Sequence, residues 1–291
     1  MLQQNSTLLC KMYTPAERRL TEVLEPERSY SRSEFEAVIE AVRSETGETL
    51  SADNLFHRGV IDLCESTREC DGSEDQSYQR GTFLRRLDIF ATEEYEVYSE
   101  LPGDLKKALD DMYFDDYLSW LQTLDDELPT EDEVLPVEDV LAFIDGRDDT
   151  PYLANCDCRS LKQACDAPRN VCITYRTAPN SYVRRGLAVP ITKEEAKAVV
   201  MRAEEEGLIH TVNPGGICSC CTDCCYLFRA AEARGSLGVW PKVNYKIEID
   251  EELCIDCGIC SERCRFEDIC VGCGLCVSTC PMKAIKLVKI K

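Results

Sequence analysis

Residues 215–225 read GGICSCCTDCC, which puts Cys218, Cys220, Cys221, Cys224 and Cys225 within eight positions. Upstream, NCDCRSLKQACDAPRNVC supplies Cys156, Cys158, Cys165 and Cys172. A third block, from Cys254 to Cys280, holds eight more. Thiolate sulfur is a soft donor, so blocks this dense point to metal or to thiol–disulfide exchange. The chain carries 20 cysteines in 291 residues, grouped unlike the dispersed even pairs of a disulfide framework. The opening MLQQNSTLLCKMY lacks a basic stretch followed by an apolar one, so no export signal is read there. Nor is there an apolar run of about 18 residues, so no membrane insertion is expected. The expected setting is the cytoplasm of an anaerobe, or of a cell that protects labile clusters. Thiols stay reduced there, and dense reduced thiols argue for metal.

The third block is spaced Cys254-x2-Cys257-x2-Cys260-x3-Cys264, then Cys270-x2-Cys273-x2-Cys276-x3-Cys280-Pro281. That is the spacing of [4Fe–4S] ligands. Three thiolates at two-residue intervals on a tight loop reach three corners of one cube, and Gly258 and Gly274 let the backbone turn closely. Over roughly 245–291 the chain resembles the two-cluster bacterial ferredoxins. The resemblance implies two [4Fe–4S] clusters. One takes Cys254, Cys257, Cys260 and Cys280, and the other takes Cys270, Cys273, Cys276 and Cys264. The chain departs from the family in two places. Cys264 is followed by Arg265 and not by proline, and five residues, RFEDI, join the quartets where ferredoxins insert a hairpin. Six extended steps reach about 20 Å, ample for two ligands of one cube. The lost hairpin uncovers the second cluster on one side, which suits docking to another protein or to the rest of the chain. KIEID (246–250) and AIKLVKI (284–290) alternate and predict an antiparallel pair. Zinc knots often mix in histidine, and this chain has only two His.

The middle block leaves several readings open: two further cubes with one spare thiol, one extra cluster, a non-cubane cluster, a dithiol couple, or a structural zinc knot. Adjacent cysteines such as Cys220-Cys221 and Cys224-Cys225 bind one iron together poorly, but suit different irons or different clusters. Between the two thiol groups, ITKEEAKAVVMRAEEEGLIH predicts an amphipathic helix. Thr192 and Glu195 form its capping box, Ala196, Val199, Val200 and Ala203 its apolar face, and Gly207 its stop. Cys156-Asp157-Cys158-Arg159, Cys165, Pro168, Cys172, Gly207-Leu208-Ile209-His210 and Cys218-Ser219-Cys220-Cys221, followed by the double quartet, resemble a group of [4Fe–4S]-binding proteins of anaerobes. That resemblance covers about 150–291 and implies electron transfer through one or two further iron–sulfur clusters within 156–225. His210 is read as a structural histidine before a ligand. Arg159, Arg169, Arg176, Arg184 and Arg185 are read as offsetting cluster charge or as pairing with acidic residues of the first half.

Residues 1–150 hold 37 Asp+Glu against 14 Lys+Arg, a net of −23, whereas residues 151–291 hold 17 against 19, a net of +2. Three cysteines, Cys10, Cys64 and Cys70, lie in the first half and seventeen in the second. Both counts suggest a boundary near 150. The first half reads as mostly helical. SRSEFEAVIEAVRSETG (capped by Ser31 or Ser33, stopped by Gly47) and LSADNLFHRGVIDLCE are its early helices. A possible strand, TFLRRLDIF, follows, and that order resembles a winged-helix module. LPGDLKKALDDMYFDDYLSWLQTL and VEDVLAFID are further helices around the acidic linker LPTEDEVLP. A net of −23 repels phosphates, so no nucleic-acid partner is expected. The fold expected is multidomain α+β: an acidic, mostly helical, winged-helix-like interaction domain (1–150), a cysteine-rich helical middle (151–240) and a compact, truncated ferredoxin-like module (241–291). The function expected is electron transfer through several [4Fe–4S] clusters to or from a partner oxidoreductase or complex subunits. No nucleotide loop, nucleophile elbow or acid–base pair is visible, which favours a carrier or subunit over a free-standing enzyme. The alternatives are a catalytic cluster or dithiol at Cys218–Cys225, and a redox-sensing regulator.

Overall fold

The computed structural model describes residues 2–64, 76–124, 127–266 and 268–290. The chain divides into two compact units: residues 1–111 with 176–188, and residues 112–175 with 189–291. The division falls at 111/112, away from the change in charge and thiol density near 150. Among the described residues no helix is long and apolar enough to cross a membrane.

The first unit begins with helices Ser6–Met12, Pro15–Val23, Arg32–Thr46 and Ala52–His57. Reciprocal capping boxes, Thr14 with Glu17 and Ser31 with Glu34, start the second and third, and Gly47 ends the third at φ 75°. The expected helix over 50–65 stops at His57. Ile61–Leu63 is strand β1, paired antiparallel with β2, Tyr78–Arg80. TFLRRLDIF is not a strand. Thr82 accepts a hydrogen bond from the Arg85 N–H, and Phe83–Glu93 is a helix that buries Leu87, Ile89 and Phe90. The cap and the core packing override the β-leaning residue types. Leu20, Phe35, Val42, Leu55, Phe56 and Ile61 pack together as this unit's core. Cys64 receives a hydrogen bond from Ser29, and Cys70 lies outside the described residues.

Arg185 is buried in this unit against the Asp62 carboxylate and the Phe56 and Ile61 carbonyls. Asp88 is also buried, and accepts a hydrogen bond from the Tyr182 hydroxyl at 2.7 Å. Burial raises its carboxyl to about 6, opposed by Tyr182 and by the charges of Arg85 and Arg185. A carboxyl raised on folding stabilises the fold below its unfolded value, and that contribution is lost as pH rises through the folded value. Between about pH 4 and pH 6 the loss is about 3 kcal/mol. Asp88→Asn should therefore remove part of the fall in melting temperature between about pH 4 and pH 6. An unchanged slope would contradict the assignment.

The second unit carries a mixed sheet beside the helices of the cysteine-rich middle. Its strands are β3 (Glu133–Val134), β4 (Tyr152–Ala154), β5 (Cys172–Thr174), β6 (Val189–Pro190), β7 (Ile209–Asn213), β8 (Gly216–Cys220) and β9 (Lys242–Val243). They lie in the order β6-β4-β5-β8-β7-β3-β9. All pairings are antiparallel except β3 with β9. Five of these strands are only two or three residues long, too short to show alternation. The helix Lys193–Glu205 has the expected Thr192–Glu195 capping box and buries Ala196, Val199, Val200 and Ala203. Val137–Asp145 is helical, and its Val140 and Ile144 join the same core. At the C-terminus, β10 (Tyr245–Ile249) pairs antiparallel with β11 (Ile285–Lys289) in the register Ile247 to Leu287, as the alternating segments predict.

Candidate metal centres

In the C-terminal module each quartet runs into a short helix that carries its third cysteine, Ile259–Arg263 for Cys260 and Leu275–Thr279 for Cys276. Gly258 and Gly274 precede these helices at φ 77° and 83°, the left-handed turn that residues with a side chain adopt poorly. Cys254, Cys257, Cys260 and Cys280 line one cavity of about 340 Å³. The Ala284 N–H donates to Cys280 Sγ at 3.3 Å, and backbone donors from Ala284, Met282 and Ile285 lower that thiol. Four soft donors around one cavity, with N–H groups aimed at sulfur, fit a [4Fe–4S] group. Cys273 is pushed up to about 12 by burial, and the thiols of Cys276, Cys264 and Cys270 add to the shift. That places the four members of the other expected quartet within electrostatic reach of one another.

Within the second unit, the shortened link holds this module on the rest of the fold. Arg263 donates to the Glu204 and Glu205 carbonyls at 2.6 and 3.0 Å. Arg265 donates to the Gly207 and Glu206 carbonyls at 3.2 and 3.4 Å. Two guanidinium groups thus bind the last carbonyls of helix Lys193–Glu205, where the helix dipole also favours cations. Gly207 has φ 73°, and a Cβ there would come within 2.9 Å of both guanidiniums. The departure from ferredoxin spacing at Arg265 is a docking contact. Arg263→Ala with Arg265→Ala should speed amide exchange in the last turn of Lys193–Glu205 by about tenfold or more, since capping and dipole contacts contribute about 1 kcal/mol each. Unchanged exchange would contradict this role.

The nine middle thiols sort into six and three. The thiols act on one another as neighbours: Cys156 with Cys158 and Cys172, Cys158 with Cys225, Cys225 with Cys220, and Cys218 with both Cys220 and Cys172. These links close a ring of six. Cys156 caps the helix Asp157–Lys162, with Cys158 in its first turn. Cys172 opens β5, and Cys218 and Cys220 share one face of β8. Cys225 caps the helix Tyr226–Ala233. Donation from Cys158 and Cys220, helped by the Phe228 N–H, lowers Cys225 to about 6. Cys158, Cys172 and Cys220 are pushed up because each donates its proton to a neighbouring sulfur. Tyr117 stands near Cys225, Cys158 and Cys218, its phenol raised chiefly by burial.

The other three are Cys165, Cys221 and Cys224, whose sulfurs all lie within 4.8 Å of one another. Adjacent thiols therefore part company: Cys220 and Cys225 join the ring, Cys221 and Cys224 the trio. Arg159 is buried and donates to the Pro168 and Ser219 carbonyls at 2.5 and 3.0 Å. Burial opposes its charge, but Cys156 of the ring and Cys221 and Cys165 of the trio outweigh it and raise the guanidinium further. Its Nε is buried without a hydrogen-bond partner. Of the five arginines singled out in sequence, Arg159 thus serves the thiols and Arg185 pairs with Asp62. His210 sits opposite Ser219 on β7, with Nδ1 3.2 Å from the Ser219 hydroxyl, on the face of the sheet away from Cys218 and Cys220.

Residues 265–286 match the family of 4Fe-4S binding domains. This segment contains Cys270, Cys273, Cys276 and Cys280. No curated protein and no solved structure matches the chain. A ferredoxin-type iron–sulfur domain near the C-terminus, in a chain of mixed helix and sheet, is thus supported, and Cys165, Cys221 and Cys224 form a group that could hold a metal ion.

Proposed function

We propose that this chain is an electron-transfer protein that passes single electrons through a row of iron–sulfur clusters to or from a partner oxidoreductase. In this reading Cys254, Cys257, Cys260 and Cys280 hold one [4Fe–4S] cluster, and Cys264, Cys270, Cys273 and Cys276 the next. The six-thiol ring holds a further iron–sulfur cluster. When bound, these groups supply reversible one-electron oxidation and reduction. The observation that carries the reading is one shared core. Cys220 and Cys225 of the ring and Cys273 of the C-terminal module pack in a single apolar cluster with Ile209, Phe228, Trp240 and Val271.

The chain's own part is to hold these thiolates close together. Phe228 meets Phe266 edge to face at 5.3 Å, so the packing continues from the middle block into the linking segment. The Arg159 guanidinium offsets thiolate charge, which makes an added electron less costly. At the other end, exposed Ile249, Ile255 and Met282 line the cavity of the first quartet. An apolar rim of that kind suits transient docking of a redox partner. The acidic first unit serves as an interaction domain.

Stepwise anaerobic reduction with electron paramagnetic resonance at each step tests the proposal. The expected outcome is several one-electron steps, with signals broadened by neighbouring reduced centres. Unbroadened signals that appear independently of one another would contradict a row of clusters.

A further inference from the structure

The trio stands apart from the ring in geometry. Cys165 Sγ lies 3.5 Å from Cys221 Sγ and 3.7 Å from Cys224 Sγ. A tetrahedral ion with Zn–S bonds of about 2.3 Å sets its sulfurs about 3.8 Å apart. A cubane carries its thiolates outward on separate irons, and sulfurs already in mutual contact leave no room for that core.

We propose that Cys165, Cys221 and Cys224 hold a single thiophilic divalent ion, zinc, with its fourth position open to water or to a small exogenous thiolate. Three further observations support a metal here. Each sulfur accepts a backbone N–H: Cys221 from Cys224 at 3.4 Å, Cys165 from Ala167, and Cys224 from Ala164. Such bonds orient and stabilise ligated thiolates. Cys221 and Cys224 are buried among Val171, Val200, Leu208 and Ile217, where the single charge of Arg159, shared with the ring, would leave three thiolates undercompensated. Among the described residues no other histidine, cysteine or carboxylate completes the group. Three protein ligands and one exchangeable position is the form of catalytic zinc, whereas structural zinc is closed by four. Cys165 is half-exposed, so solvent reaches the site.

The trio's ion does not depend on the electron-transfer reading, and the two are read out on different metals. The experiment is zinc and iron analysis of the anaerobically purified full chain. The expected result is about one zinc per chain, lost at least tenfold in Cys224→Ser with iron unchanged. Zinc at background, with about three or four irons lost in the variant, would overturn the proposal in favour of a cluster. Metals unchanged in the variant would overturn it in favour of free thiols. Because Cys224 is fully buried, Cys165→Ser is the second variant, and cobalt exchange of the unmutated protein needs no substitution. Cobalt should give the visible bands of a sulfur-rich tetrahedral site, and these should shift on addition of a small thiol. Absent bands would overturn the metal site, and bands indifferent to thiol would overturn its open position.

Discussion

Replacing Cys156 and Cys225 together by serine should strip the middle block of its iron while the C-terminal quartets keep theirs. The loss expected is about four irons and as many sulfides, out of about twelve in the intact chain. Cys156 and Cys225 are the sulfurs lowered by their neighbours, so they are the thiolates nearest the ligating form. They also sit on different elements, ahead of Asp157–Lys162 and of Tyr226–Ala233, so their loss opens the ring at two places. The quartets lie on their own loops with their own β10–β11 pair and depend on the ring only through shared packing. Iron and sulfide analysis with electron paramagnetic resonance checks this. Unchanged iron in the double variant would mean the ring is not a cluster site.

The second large effect is expected at Arg159. Arg159→Leu removes the buried cation beside both thiol groups and leaves the Pro168 and Ser219 carbonyls without their donor. Breaking a buried charge network of this kind costs about 3 to 5 kcal/mol. Arg159→Lys keeps the charge but not the planar fork, so it should lose less. Two readouts separate packing from electrostatics. Melting temperature should fall in both variants, and more in Arg159→Leu. The reduction potential of the middle-block centre should drop in Arg159→Leu but stay near the original in Arg159→Lys. Equal potentials in all three proteins would show that Arg159 acts by packing alone.

How much of this was legible in the sequence depended on how local each signal was. The β10–β11 alternation, the Thr192–Glu195 box and the Ser31 cap are set by residues a few positions apart, and each appears where it was read. The separation of Cys220 from Cys221 and of Cys224 from Cys225 was also foreshadowed, because adjacent cysteines serve one metal ion poorly and different sites readily. The seven-stranded sheet was not legible. Pairs such as β3 with β9 join two-residue strands more than a hundred positions apart and leave no periodicity to read. TFLRRLDIF was misread because its β-leaning residues hid a Thr82 cap and an inward helical face. The boundary near 150 followed charge and thiol counts, whereas the fold gathers residues 176–188 into the first unit. Arg265 was visible as a departure from ferredoxin spacing. Its partners, the last carbonyls of a helix about sixty positions earlier, exist only in the fold.

The central claim is that the middle block extends the iron–sulfur wiring of the C-terminal module. Iron and acid-labile sulfide per chain, measured on anaerobically purified full-length protein, test it most directly. The account predicts about twelve of each or more, four beyond what the two quartets hold. About eight of each would contradict it, because the six-thiol ring would then carry no cluster.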